Sequence, residues 1–203
     1  MNQFSHDDYK ILEKVRDFQG YFAVDTYQIQ HRLFAGGWSE PFQRELFERG
    51  HAVAVLLYDP FRQEVLLLEQ FRIGALTSET GPWMIEIVAG IIDKGEEAEQ
   101  VAKRECFEEA GQTVTDLHYI GKYFCTPGGS SESIIMYCAL IDSSDVGGIF
   151  GLDHEQEDIR VFTMTLDEVR DGLQSGLFEN ATTLIAMQWL LLNQEKLTDS
   201  KIA

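Results

Sequence analysis

Apolar runs divide the chain into a short strand-rich first part and a longer section in which strands and helices are mixed. Compact apolar runs between turn residues are typical of strands, and apolar spacings of three and four are typical of helices. The predicted strands of the longer section are Ala52–Tyr58, Glu64–Phe71, Trp83–Ala89, Tyr119–Cys125, Ser133–Ile141 and Ile159–Met164. Its predicted helices are Glu97–Ala110, Leu166–Leu173 and Ala181–Leu192.

The first fifty residues have a different character. Tyr21–Gln30 and Phe42–Phe47 are predicted strands, with a turn at Ala35–Gly37 between them. A section of about 40 residues is too short to build an independent core. Residues 1–50 are therefore predicted to form a small β-sheet appendage that leans on another surface, and residues 51–203 the main domain.

The order of these elements predicts a fold class between α+β and α/β. Ala52–Tyr58 and Glu64–Phe71 are nearly all apolar and predict a central hairpin that is buried on both faces. Strands surround one internal helix, and further helices close the chain. The expected architecture is an α/β/α sandwich around a mixed β-sheet.

Composition narrows the classes of function. The 203-residue chain is 44% hydrophobic, so it can fold without disulfides, and its net charge is −18. Such an acidic surface disfavours binding to nucleic acid or to anionic membranes. Its three cysteines lack metal-ligand spacing, and the first residues lack the apolar stretch of a signal peptide. These features predict a cytoplasmic protein with reduced thiols.

Candidate chemistry is concentrated in the segment Gly90–Gln112. Its predicted helix places Glu105, Glu108 and Glu109 on one stripe near the C-terminal end. Like charges at these spacings repel, and the helix dipole disfavours anions at that end. An acidic solvent-exposed face is one interpretation of such a pattern. The other is a site for a hard divalent cation, which prefers oxygen ligands.

The full spacing of this segment resembles the Nudix box, the signature of hydrolases that cleave a nucleoside diphosphate linked to another group. The matching residues are Gly90, Glu96, Arg104, Glu105, Glu108, Glu109 and Gly111. Two usually aliphatic positions depart from the pattern, since they hold Cys106 and Gln112. Neither departure affects a carboxylate. The resemblance implies the Nudix fold.

The resemblance also implies roles for the box residues. The carbonyl of Ala89 and the carboxylates of Glu105 and Glu109 would ligate Mg²⁺ or Mn²⁺. Glu108, a predicted catalytic residue, would add a metal ligand or hold a bridging water molecule. Arg104 and Glu96 would orient the carboxylates from outside the metal shell.

Two later segments resemble one branch of the family, the ADP-ribose pyrophosphatases. Thr126-Pro127-Gly128-Gly129 with Glu132 is similar to their Pro-Gly-Gly loop, and Gly147–Ile159 to their acidic loop. By this resemblance Glu155 is the general base and Glu157 a further metal ligand. The implied reaction is Mg²⁺-dependent hydrolysis of ADP-ribose to AMP and ribose 5-phosphate.

The same resemblance implies a homodimer in which residues 1–50 are exchanged and complete the partner subunit's site. An aromatic side chain of this segment would stack on adenine, and arginines would bind phosphate. The implied substrate-binding residues are Tyr21, Phe22, Arg44, Glu45, Arg49, Arg72, Ile91, Thr126, Pro127, Gly128 and Glu132.

Two alternatives stay open at the level of sequence. The first is hydrolysis of GDP-mannose or another nucleoside diphosphate sugar, because such enzymes share the Pro-Gly-Gly loop. The second is a non-catalytic module that binds nucleotide. A role on nucleic acid is disfavoured by the acidic charge.

Overall fold

The computed structural model describes residues 3–199, which form two compact units. The first unit contains the chain up to His51 together with Phe124–Ser133. The second contains Ala52–Tyr123 and the chain from Ile134 onward. The Pro-Gly-Gly loop thus belongs to the same unit as the N-terminal strands.

The first unit is built on an antiparallel three-stranded sheet in the order β1-β2-β3. Its strands are β1 (Tyr9–Gln19), β2 (Ala23–His31) and β3 (Phe42–Glu48). Strand β2 begins two residues later than predicted, because the N–H of Gly20 donates to the carbonyl of Phe22 and closes a turn there. Strand β1 was not predicted as a separate element.

The second unit is built on a mixed sheet whose main path is β10-β11-β5-β4-β9-β8. Strands β4 and β9 are parallel, and β5 is antiparallel to β4 and to β11. The strands are β4 (His51–Asp59), β5 (Glu64–Phe71), β6 (Trp83–Glu86), β7 (Val88–Ile92), β8 (His118–Phe124), β9 (Ser133–Leu140), β10 (Gly148–Phe150) and β11 (Ile159–Thr165).

Helices cover both faces of this sheet, as the sandwich prediction requires. Alternate residues of β4 point to opposite faces. Val53, Val55 and Leu57 pack in the same cluster as helix α1 (Ala98–Ala110). Ala54, Leu56 and Tyr58 pack in the cluster of α2 (Leu166–Ser175) and α3 (Ala181–Asp199). The central strand is therefore buried on both faces, and the predicted fold class is confirmed.

The predicted strand Trp83–Ala89 is wrong as a single element. The structure divides it into β6, which pairs with β5, and β7, which pairs with β4. Between them lies Ile87, which is 1% exposed. The continuous apolar run hides this change of partner, because both short strands are buried. Strand β7 also continues through Gly90, which the prediction had placed after the strand.

Other boundaries differ by a few residues. Helix α2 extends to Ser175, and α3 is longer than predicted because no glycine or proline follows Leu192 to end it. Strand β10, only three residues long, lies in a segment for which no strand was predicted. No helix within residues 3–199 is long and apolar enough to cross a membrane.

Candidate active site

Helix α1 carries the candidate carboxylates, and a glycine cap fixes its C-terminal end. Glu97 occupies the N-terminal cap position, and Gly111 closes the C-terminus in a left-handed conformation with φ of 64°. Val101, Ala102 and Cys106 are buried in the core, which leaves the next stripe of the helix to the glutamates. The packing of these residues determines the direction in which the glutamates project.

Gly90 allows the Glu105 side chain to lie directly on strand β7. A Cβ atom at this position would overlap the Glu105 carboxylate and its methylene group. No residue other than glycine leaves that space open. Burial raises the pKa of the Glu105 carboxyl to about 7.

Glu109 is the most deeply placed of the box glutamates, with 3% of its surface exposed. Its Oε2 accepts a hydrogen bond of 3.0 Å from the backbone N–H of Ala89. Burial raises the pKa of this carboxyl well above its ordinary value, although the Ala89 bond opposes the rise. The solvent-exposed interpretation of the acidic stripe therefore fails at Glu109.

Arg104 collects the remaining box carboxylates around one guanidinium group. Its Nη1 lies 2.7 Å from Oε2 of Glu108 and 2.9 Å from Oε1 of Glu105. Its Nη2 lies 4.0 Å from Oε2 of Glu96, which also accepts from the N–H of Asp93. The guanidinium group thus contacts two of the box carboxylates and lies at the limit of ion-pair distance from a third.

The acidic loop is attached to the end of α1. The N–H of Gly151 donates to the Glu108 carbonyl over 3.3 Å. Oε2 of Glu157 accepts from the N–H of Leu152, also over 3.3 Å. Glu157 is half-buried, whereas Glu155 is exposed beside His154. The Glu155 carboxylate is therefore accessible to solvent.

Arg72 directly follows β5, and Ile91 lies on β7 two residues after Ala89. The Arg72 guanidinium forms two hydrogen bonds to Glu86 on β6, of 2.8 and 3.0 Å. Glu86 was not among the site residues predicted from the sequence. A single carboxylate within the apolar run Trp83–Ala89 was the signal that could have identified it.

The other implied substrate-binding residues belong to the first unit. Phe22 packs against Tyr21 at 4.7 Å between ring centroids, and Arg49 lies 5.4 Å from the Phe22 ring. Nε of Arg49 is 3.3 Å from Oε1 of the buried Glu132. The remaining members are all exposed: Arg44, Glu45, Thr126, Pro127 and Gly128.

The donors of the second unit fit a hard divalent cation. Among residues 3–199, no three His, Cys, Asp or Glu side chains converge closely enough to form a ready-made metal cluster. Instead the carboxylates turn to Arg104 and to the Ala89 N–H. Glu105 and Glu109 have raised pKa values, so positive charge does not fully compensate their ionised forms. Carboxylate and carbonyl oxygens are the ligands that Mg²⁺ and Mn²⁺ prefer.

Comparison with known proteins identifies the class to which this fold and site belong. The family model described as the NUDIX domain matches residues 48–184. The chain therefore belongs to the Nudix family, as the box spacing predicted.

Individual relatives extend this result over nearly the whole chain. An ADP-ribose pyrophosphatase of Escherichia coli is 40% identical over 96% of this chain and 93% of its own length. One from Haemophilus influenzae is 39% identical over 98% and 94%. A GDP-mannose pyrophosphatase of Cronobacter sakazakii is 30% identical over 74% of this chain and 78% of its own.

The crystal structure of an ADP compounds hydrolase has the same fold. It superposes with a TM-score of 0.70 and covers 96% of this chain and 98% of its own. The sequences are 20% identical. This likeness supports the architecture of the fold alone.

Proposed function

We propose that this chain hydrolyses the diphosphate bond of ADP-ribose and releases AMP and ribose 5-phosphate. The observation that carries the proposal is the 40% identity with an ADP-ribose pyrophosphatase across almost the full length of both chains. The box carboxylates beside Ala89 and Gly90 support the chemistry, because carboxylate and carbonyl oxygens are the ligands that a hard divalent cation prefers.

The Ala89 carbonyl, Glu105, Glu109 and Glu157 would hold the cation, which is Mg²⁺ or Mn²⁺. A bound cation would screen the diphosphate charge and acidify the attacking water. Arg104 holds Glu105 and Glu108 in place through ion pairs of 2.9 and 2.7 Å.

Glu155 is the proposed general base. Its exposed carboxylate can accept a proton from water, whereas Glu108 is bound to Arg104 and Glu109 is buried. Arg72 would bind a non-bridging phosphate oxygen, and the aromatic Tyr21 or Phe22 would stack on adenine.

The test is a substrate panel of ADP-ribose, GDP-mannose and ADP-glucose, each with Mg²⁺ and with EDTA. We expect the highest kcat/KM on ADP-ribose, and no turnover in EDTA. Equal or faster hydrolysis of GDP-mannose would overturn ADP-ribose as the proposed substrate. That alternative is supported by the GDP-mannose pyrophosphatase relative at 30% identity.

A purely nucleotide-binding role is the other alternative. Titration calorimetry with ADP-ribose and Mg²⁺, followed by analysis for AMP, separates binding from turnover. Binding without AMP would overturn the proposed activity. All four box glutamates are present, namely Glu96, Glu105, Glu108 and Glu109, which supports turnover.

We also propose a homodimer in which the N-terminal sheet serves the partner subunit's site. Strand β1 is exposed along its whole length and carries large apolar side chains. Among them are Ile11, Leu12, Val15 and Phe18, each at least 45% exposed. A row of this kind on an edge strand is typical of a covered interface.

Mixing two inactive variants tests the exchange. One carries Glu155→Gln, and the other carries Phe22→Ala with Arg44→Ala. In an exchanged dimer, the mixed species contains one site with no substitution, so about a quarter of the wild-type activity should return. Light scattering that shows a monomer, or no recovery in a confirmed mixed dimer, would overturn this proposal.

A further inference from the structure

Glu86 is a buried carboxylate in an otherwise apolar strand. It lies on β6 with 6% of its surface exposed. A buried carboxylate is costly unless hydrogen-bond donors and positive charge surround it. Four hydrogen bonds meet this need, from Gln70, Asn180 and two nitrogens of Arg72. These bonds connect Glu86 both to Arg72 and to the residues at the start of α3.

The first pair of bonds fixes the Arg72 guanidinium. Nε and Nη2 donate to the same oxygen, Oε2 of Glu86, over 3.0 and 2.8 Å. The backbone N–H of Arg72 donates to the carbonyl of Pro82 over 2.8 Å, so its main chain is held as well. Nη1 has no hydrogen-bond acceptor within the part of the chain that the structure describes. One edge of an otherwise immobilised guanidinium is therefore left for a ligand.

The bond to the second carboxylate oxygen serves the fold. Oε1 of Glu86 accepts from Asn180 Nδ2 over 2.8 Å. Oδ1 of Asn180 in turn accepts from the N–H of Thr183, in the first turn of α3. This branch connects β6 to the start of a helix and does not involve Arg72. Oε2 of Glu86 thus holds Arg72 and also accepts from Gln70 Nε2 over 3.3 Å, whereas Oε1 serves the structural branch.

Arg72 needs such a partner because its side chain is 44% exposed. A free exposed arginine occupies many rotamers, and ordering it on binding costs affinity. A guanidinium already held in a two-bond fork avoids most of that cost.

We propose that Glu86 is the positioning residue that pre-orients Arg72 for an anionic oxygen of the substrate diphosphate. This inference rests on the proposed function for its substrate. Glu86 itself contacts no substrate atom, and it acts through the open edge of Arg72. The binding step should depend on it more than the chemical step, because the contact exists before and during the reaction.

The experiment compares Glu86→Gln, Arg72→Lys, the double variant and Asn180→Ala. Glutamine keeps the shape of Glu86 and removes its charge, and lysine keeps the charge of Arg72 and removes the fork. Asn180→Ala removes the structural branch alone. Steady-state kinetics on ADP-ribose, thermal unfolding, and calorimetric binding of ADP-ribose in EDTA are measured for each.

We expect Glu86→Gln and Arg72→Lys each to raise KM by about 5- to 20-fold, with kcat within about threefold of wild type. The KM of the double variant should be no higher than that of the more affected single variant, because both substitutions remove the same interaction. Asn180→Ala should lower the unfolding temperature and leave KM within about twofold.

Three results would overturn the proposal. They are an unchanged KM in Glu86→Gln, effects that multiply in the double variant, and an equal rise in KM for Asn180→Ala. Wild type that binds ADP-ribose in EDTA without hydrolysing it in Mg²⁺ would refute the proposed activity instead. The binding comparison would then still decide the role of Glu86.

Discussion

The backbone N–H of Ala89 donates a hydrogen bond of 3.0 Å to the carboxylate of Glu109, twenty positions later in the sequence. This bond joins strand β7 to the last turn of helix α1. It places a buried carboxylate beside the peptide that precedes Gly90. Because Glu105 lies over Gly90 itself, the strand and the helix present their oxygen donors as one unit.

Gly90→Ala should abolish most activity through the Glu105 side chain. The added Cβ would overlap this carboxylate and force it to move. Misplacement of a catalytic group by about 1 Å can cost on the order of 100-fold in rate. We therefore expect kcat on ADP-ribose to fall by about that factor.

Gly121→Ala is the matched control, because nothing lies within 4 Å of a Cβ at that strand position. It should keep wild-type kcat. Wild-type activity in Gly90→Ala would mean that the Glu105 position is not needed for the reaction.

Glu155→Gln should lower kcat by roughly 10²- to 10⁴-fold while folding and cation binding stay near normal. The amide cannot accept the proton, and the exposed position makes the substitution sterically harmless. Stopped assays for AMP release measure the effect. Asp153→Asn, which removes another carboxylate of the same turn, should be close to wild type. If Asp153→Asn were the slower variant, the base would have to be reassigned.

Cation binding should strengthen as pH rises through neutrality. Burial raises the pKa of Glu105 to about 7 and that of Glu109 in the same direction. A carboxyl must lose its proton to ligate a metal, so binding below the raised pKa releases protons. Calorimetry with Mg²⁺ in two buffers of different ionisation enthalpy, at about pH 6 and about pH 8, counts these protons.

More protons should be released at the lower pH, and Glu105→Gln should reduce the release. Equal and negligible proton release at both pH values would show that these carboxyls are already ionised before the cation binds.

Acid should loosen the N-terminal sheet at Asp25. This carboxylate is fully buried and is paired with Arg16 and, over 2.9 Å, with Lys14. Hydrogen bonds from Arg16 and then Lys14 lower its pKa from 3.8 to about 2. A folded pKa below the unfolded value means that ionised Asp25 stabilises the sheet above about pH 4. That contribution is lost as pH falls toward 2.

Amide exchange of β1 and β2, corrected for intrinsic rates, measures this loss of protection. In Asp25→Asn the sheet should be less protected at pH 6, and this dependence on acid should disappear. Asp17→Asn, at an exposed carboxylate that accepts from Thr26, should keep the wild-type profile. An acid profile that is unchanged in Asp25→Asn would assign the transition to another group.

The sequence by itself determined the box helix, its cap at Gly111 and the stripe of glutamates, because these depend on spacings within a few turns. It also determined the central strands, because short apolar runs between turn residues indicate buried strands. The division into β6 and β7 followed instead from which strand each half pairs with. Pairing between distant segments leaves no local signal when both halves are apolar.

Tertiary structure alone decided the contacts of the site. The sequence placed Glu105 and Glu109 on one stripe, and only their burial in the folded protein raised the pKa of each carboxyl. The resemblance implied Arg72 as a phosphate ligand, and the sequence indicated no partner for it. Glu86 became that partner only when β5 and β6 paired, because hydrogen bonds between strands depend on register, and register is a property of the folded sheet.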